Sequence, residues 1–177
     1  MRRRRTFLKD HSGVAAVEFA LIAPVLILIY MGLAEVTMAL MAERRAGHAT
    51  AVVADLIAQD TLTNRAELND VFSIAEHILS PYPASGMKIR ATAIKADANG
   101  VPKVVWSHGK GFSGYAKGST VSNLPKDLIA ANETLVMSEM TYAFNSPAKY
   151  VIPNAMNFRQ QYYLRPRKIE MVNCTDC

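Results

Sequence analysis

Phe19-Ala20-Leu21-Ile22-Ala23-Pro24-Val25-Leu26-Ile27-Leu28-Ile29-Tyr30-Met31-Gly32-Leu33-Ala34 contains no charged residue. Small or weakly polar residues extend the run inward to Val14 and outward to Met41. A helix over 14–41 measures about 42 Å at ~1.5 Å per residue, and a bilayer core needs only about 20 residues. The stretch is therefore long enough to span a membrane with both ends emerging. Pro24 cannot donate to the carbonyl of Ala20, which predicts a kink or a local loosening. Proline and glycine are tolerated in membrane helices. Two acids, Glu18 and Glu35, flank the charge-free run. Glu35 lies near the outer end, within reach of the interface. Glu18 stands inside the apolar helix, where a carboxylate in hydrocarbon costs about 3 kcal/mol or more and calls for a partner. Its alternative place is the inner headgroup boundary.

Working outward, the N-terminal flank is strongly basic. Arg2, Arg3, Arg4, Arg5 and Lys9 precede the run, with Asp10 the one acid among them. The whole chain has 177 residues, 20 basic and 15 acidic, and a net charge of +5. Without residues 1–13 the net charge falls to +1, so the high pI belongs mostly to this leader. A basic arm joined directly to an apolar run reads as a membrane-orientation signal and not as a nucleic-acid site. Only Arg44 and Arg45 follow the run closely, so the positive-inside rule places the N-terminus in the cytoplasm and the remainder outside. A cleavable secretory signal, with Thr37-Met38-Ala39 as its cut, would need a shorter apolar core, about 7–15 residues. The expected organisation is a cytoplasmic basic leader over 1–13, a transmembrane helix over 14–41 and an extracytoplasmic domain over 42–177.

The run Gly13-Val14-Ala15-Ala16-Val17-Glu18-Phe19 resembles a prepilin processing motif, in the version found in TadE-like and TadG-like proteins of the tight-adherence (Tad, or Flp) pilus, a type IV pilus system. Ala20-Leu21-Ile22-Ala23-Pro24-Val25-Leu26 continues that family's pattern, and Tyr162-Tyr163-Leu164-Arg165-Pro166-Arg167 with a late Cys174 resembles its close. The resemblance is specific over residues 13–35 and thins across the middle. It implies a minor pilin or pseudopilin, a structural and adhesion component without catalytic residues or a cofactor. It implies cleavage between Gly13 and Val14 by a membrane prepilin peptidase, and assembly through Glu18 and Phe19. Glycine has no side chain and lets extended backbone enter a peptidase cleft. Cleavage creates an amine at Val14, and Glu18 of one subunit could neutralise the amine of another. The implied partners are the membrane, the peptidase, other pilins and Tad assembly proteins. The implied location is the bacterial inner membrane, single-pass, with a periplasmic domain and incorporation into a surface pilus as a further expectation. The chain is longer than the family's major subunit and lacks the insertion of the larger TadG proteins.

Beyond Met41 the three- and four-residue spacing of Ala49, Val52, Val53, Leu56 and Ile57 predicts one helix over 14–59, amphipathic in its outer half. Gly47 weakens its continuity. Asn64 with Glu67 forms a capping-box pattern, and the helix after it stops before Pro81. Strands are expected over 87–96, 103–107, 133–144 and 162–173, with a turn at 97–100. Residues 108–123 read as a loop, 125–131 as a short helix and 145–157 as irregular. The fold class is α+β, a long membrane-spanning N-terminal helix continuing into a small domain with an antiparallel sheet.

No residue cluster carries the chemistry of an enzyme. His77 beside Glu76 lacks the spacing of a helical zinc motif, and His108-Gly109-Lys110-Gly111 lacks that of a phosphate loop. Ser107 beside His108 makes no triad. Met137, Met140, Tyr142 and Phe144 fit strand packing. Tyr162 and Tyr163 with Arg165 and Arg167 fit a solvated edge strand. Cys174 and Cys177 form either a small disulfide loop, favoured in an oxidising compartment, or two free tail thiols. Two thiols alone do not complete a zinc site, so no metal is expected. The runner-up to the pilin resemblance is a generic membrane-anchored extracytoplasmic binding domain. An anchored enzyme is third.

Overall fold

A computed structural model of the chain describes residues 13–122, 124, 125 and 128–177. Helix α1 runs unbroken over Val14–Gln59, through Pro24 and Gly47. Its two halves live in different surroundings. Up to Leu33 the apolar side chains stand almost bare, with Leu21 and Tyr30 each 72% exposed. From Glu35 onward one stripe is buried: Ala39, Ala42, Ala46, Ala49, Val53 and Ile57. Alanine at helical spacing lets this half lie close against its neighbours, which are helix α2 and two strands of the sheet.

Helix α2 covers Arg65–Leu79. Asn64 caps it, its side-chain oxygen accepting from the Glu67 N–H at 3.0 Å. Leu68, Phe72, Ala75 and Leu79 form its buried face.

The sheet has four antiparallel strands. In chain order, after a two-residue strand β1 at Leu62–Thr63, these are β2 (Met87–Ala96), β3 (Pro102–Lys110), β4 (Thr134–Phe144) and β5 (Met156–Leu164). Their spatial order is β3-β2-β4-β5. Alternation sorts the side chains. Ile89, Ala91, Ala93, Trp106, Val136, Met140, Tyr142 and Phe144 join the core shared with the helices. Ile94, Val104, Leu135 and Met137 join a second cluster, covered by Val121, Tyr115, Leu124, Leu128 and Ile129 of the β3–β4 connection. A bulge at Val105 lets Ala93 face Trp106 while Ile94 faces Val104.

The α+β class and the helix over Val14–Gln59 agree with expectation, as does the strand over Met87–Ala96. Four local expectations are corrected. The strand expected over 103–107 continues to Lys110, because Gly109 and His108 keep pairing with Arg90 and Ala91. The strand expected over 162–173 instead occupies Met156–Leu164, so its first two residues fall in the stretch expected to be irregular. Gln160 occupies an inward position of β5, opposite Met140, and breaks the apolar alternation that would mark the strand. Pro166 lies just beyond its end and supplies no N–H to a ladder. The strand expected from residue 133 begins at Thr134, since Glu133 closes a turn onto Ala130. Of the helix expected over 125–131, residues 126 and 127 lie outside the described residues, and the described remainder forms bends and a turn.

The C-terminal tail returns across the helical layer. Arg167 donates its backbone N–H to the Ala58 carbonyl at 2.9 Å and pairs with Asp55. The Trp106 indole N–H donates to the Val172 carbonyl at 2.7 Å. Strand β6, Asn173–Cys174, pairs in parallel with β1. The Asp176 carboxylate then accepts from the Arg65 backbone N–H at 2.8 Å.

Candidate functional site

The residues that the sequence marks for processing and assembly lie at the bare end of α1. Gly13 is the residue before the first helical turn and has no side-chain cap. Its carbonyl accepts from the Val17 N–H at 3.2 Å, and a Cβ built on it would meet no atom within 4 Å. Val14 is 47% and Phe19 70% exposed, and Glu18 is exposed between them. The expected leader residues 1–12 lie outside the described residues. Among the described residues α1 is the one helix long and apolar enough to cross a membrane, and its most apolar window of 18 residues is entirely unburied. Bare apolar surface of this extent in one continuous stripe requires lipid or other helices around it.

At the other end of the bare segment sits Glu35, and here the structure departs from the expectation that this acid merely reaches the interface. Glu35 is 1% exposed. One carboxylate oxygen accepts from the Tyr150 N–H at 2.7 Å. The other accepts from Val151 at 3.0 Å and Ile152 at 2.8 Å. Three successive backbone N–H groups thus converge on one carboxylate, an anion-binding concavity built by the β4–β5 connection. Lys149, with φ 58°, turns the chain into it. Gly32 makes room one turn inward: a Cβ there would lie 2.9 Å from the Val151 Cγ2 atom. Sequence reasoning missed this clasp because the donors are backbone groups more than a hundred positions away. The one local signal is the small residues Gly32 and Ala34 beside the acid, which admit a second backbone.

The outer face of the sheet carries a groove of about 550 Å³ lined by Lys88, Arg90, Tyr115, Glu139, Thr141 and Arg159, among others. At its centre Arg90 donates from Nε and Nη2 to one oxygen of Glu139 at 2.9 and 2.7 Å, and from Nη1 to the Ser113 carbonyl at 2.8 Å. The guanidinium lies 3.6 Å from the Tyr115 ring centre. Gln161 and the Tyr115 hydroxyl donate to the other Glu139 oxygen at 3.0 and 3.3 Å. Burial, and then the neighbouring Glu139 charge, push the Tyr115 hydroxyl above the usual tyrosine range. These charges satisfy one another and pin the β3–β4 connection to the sheet.

The other residues weighed for chemistry hold the fold together. Ser107 shares a hydrogen bond with Thr92 at 2.9 Å. His108 bonds Asn69 at 3.0 Å and stacks on Phe72 with ring centres 5.9 Å apart. Glu76 pairs with Lys110 at 2.6 Å. Tyr142, fully buried, donates to the Pro83 carbonyl at 3.1 Å. Cys174 and Cys177 are joined to each other, beside Asp176.

No match was found among curated proteins or among solved structures. Residues 13–55 match the family model described as "TadE-like protein". That span opens on Gly13, takes in Glu18 and Glu35, and closes at Asp55, which anchors the returning tail. Over these residues, the bare helix and its outer continuation, the chain is similar to TadE-like proteins.

Proposed function

We propose that this chain is a minor pilin or pseudopilin of a Tad-type pilus. In this reading a prepilin peptidase cuts after Gly13, and the mature protein is held in the inner membrane by residues 14–41 with residues 42–177 in the periplasm. The observation that carries it is the TadE-like match, which begins at the glycine and spans the acid and the bare apolar stripe together. Removal of residues 1–13 takes away the basic arm and leaves an amine at Val14. Glu18 then offers the opposite charge within an apolar helix, where an uncompensated carboxylate is costly. Packing of bare helices side by side would bring the Glu18 of one subunit to the Val14 amine of the next and offset both burial costs. Phe19, 70% exposed beside Glu18, supplies apolar contact at the same level.

N-terminal sequencing of the protein from its native host, with and without the prepilin peptidase, tests the cut. The mature chain is expected to start at Val14 only when the peptidase is present, and any other start counts against the proposal. Complementation with Glu18→Gln tests the assembly step. Membrane insertion and cleavage should persist while surface piliation is lost. Normal piliation with Glu18→Gln refutes the charge pairing. Unchanged piliation and adhesion on deletion of the gene would favour the generic anchored binding domain instead.

A further inference from the structure

The clasp at Glu35 fixes where the β4–β5 connection sits along the anchor helix. Val14 and Glu35 are separated by about 32 Å along α1, at ~1.5 Å per residue, close to the ~30 Å of a bilayer's hydrocarbon core. Glu35 accepts the N–H groups of Tyr150, Val151 and Ile152. Val151 lies against Gly32, one turn closer to the centre of the bare segment. Any membrane that covers α1 as far as Leu33 must therefore also meet this connection. The side chains it presents there suit that position. Tyr150 is 67% and Val151 55% exposed, and neither is covered by the rest of the domain. Lys149 is exposed beside them. An amphipathic ring and a cationic side chain at the end of a spanning helix match the headgroup layer, where aromatic rings and snorkelling lysines concentrate.

We propose that residues 147–153 are a membrane-contact loop. Tyr150 and Val151 enter the boundary between hydrocarbon and headgroups in the leaflet nearest the domain, Lys149 reaches toward lipid phosphate, and Glu35 is the tether that holds the loop at that depth. The occupant of this exposed apolar surface is the bilayer, because the surface is continuous with the lipid-facing stripe of α1. The loop sets the depth and tilt at which the domain is seated, a second point of contact beside the helix. It rests on the reading of α1 as a membrane anchor.

Depth-dependent fluorescence quenching tests this on the full chain reconstituted in phosphatidylcholine–phosphatidylglycerol vesicles. The lipids carry a quencher either near the headgroup or at the chain end. Three variants are compared: Tyr150→Trp, Leu26→Trp in the middle of the bare segment, and Ile74→Trp on the exposed face of α2. The emission of Trp106, recorded on the parent chain, is subtracted from each. Tyr150→Trp is expected to be quenched several times more strongly by the headgroup-proximal label than by the chain-end label. Leu26→Trp should show the reverse order, and Ile74→Trp should respond to neither. Quenching of Tyr150→Trp no stronger than that of Ile74→Trp, with Leu26→Trp still quenched, overturns the loop contact and leaves the anchor standing. A blue-shifted Tyr150→Trp that lipid labels do not quench also overturns it, in favour of contact with a second copy of the chain. Absence of quenching at Leu26→Trp removes the anchor and the loop contact together.

Discussion

Glu35→Ala removes the single acceptor of three backbone N–H groups. A hydrogen bond to a charged group contributes about 1.5–3 kcal/mol net, so three bonds set an upper figure well above the worth of one. Two discounts apply. Tyr150 and Val151 are exposed, so water or lipid phosphate can recapture some of the freed donors. Bonds sharing one acceptor are also not additive. A loss of about 2–4 kcal/mol is the result, and it falls on local opening of the β4–β5 connection and not on the core. At about 1.4 kcal/mol per factor of ten, the amides of Tyr150, Val151 and Ile152 should exchange roughly 30- to 700-fold faster. Glu35→Gln keeps one oxygen that can serve Val151 and Ile152 but turns an amide N–H toward that of Tyr150, so an intermediate loss of about 1–2 kcal/mol follows. Hydrogen–deuterium exchange on the full chain in detergent micelles reads this directly, with the β2 and β4 amides as an unchanged internal reference. Equal exchange of residues 150–152 in the parent and in Glu35→Ala would refute the clasp.

A Cβ on Gly86 would lie 2.5 Å from the Ala143 carbonyl oxygen, a backbone atom that cannot rotate away; Gly86→Ala should cost about 1–3 kcal/mol and lower the thermal midpoint, and an unchanged midpoint would contradict the close approach. Burial, and secondarily the Arg65 charge, hold the His108 imidazolium below the ordinary histidine range. The folded chain therefore resists protonation while the unfolded chain takes up a proton below about pH 6.5. Stability should rise with pH across the window from the lowered folded value up to about 6.5, and His108→Gln should flatten that slope in urea titrations at several pH values. Cys174 and Cys177 should resist alkylation in freshly isolated protein until a reductant is added; immediate modification of both thiols would rule out the bond in the cell, leaving the pilus proposal intact.

Part of this architecture is decided by neighbouring residues among themselves. The limits of α1 follow from an apolar run passing into alanine and valine at helical spacing, and those of α2 from the Asn64 cap and Pro81. The strand Met87–Ala96 follows from the alternation of Met87, Ile89, Ala91 and Ala93, bounded by a proline-rich turn and Asp97-Ala98-Asn99-Gly100. The resemblance carried by Gly13–Phe19 is likewise local, since it rests on contiguous residues. Tertiary structure decided whatever depends on a distant partner. Gln160 sits on the inner side of β5 because β4 pairs with it there, and no periodicity in its own segment marks that strand. His108 continues β3 because Ala91 of β2 pairs with it there, and Phe72 of α2 stacks on its ring. The contrast is sharpest between the two acids of α1. Glu18 and Glu35 both interrupt an apolar helix, and no residue near Glu35 in the chain names the groups that will bind it. Only folding brings the N–H groups of Tyr150, Val151 and Ile152 to Glu35, across 115 to 117 positions of chain, while Glu18 stays on the bare surface. A carboxylate's role is set by the groups that reach it, and those groups belong to another part of the chain.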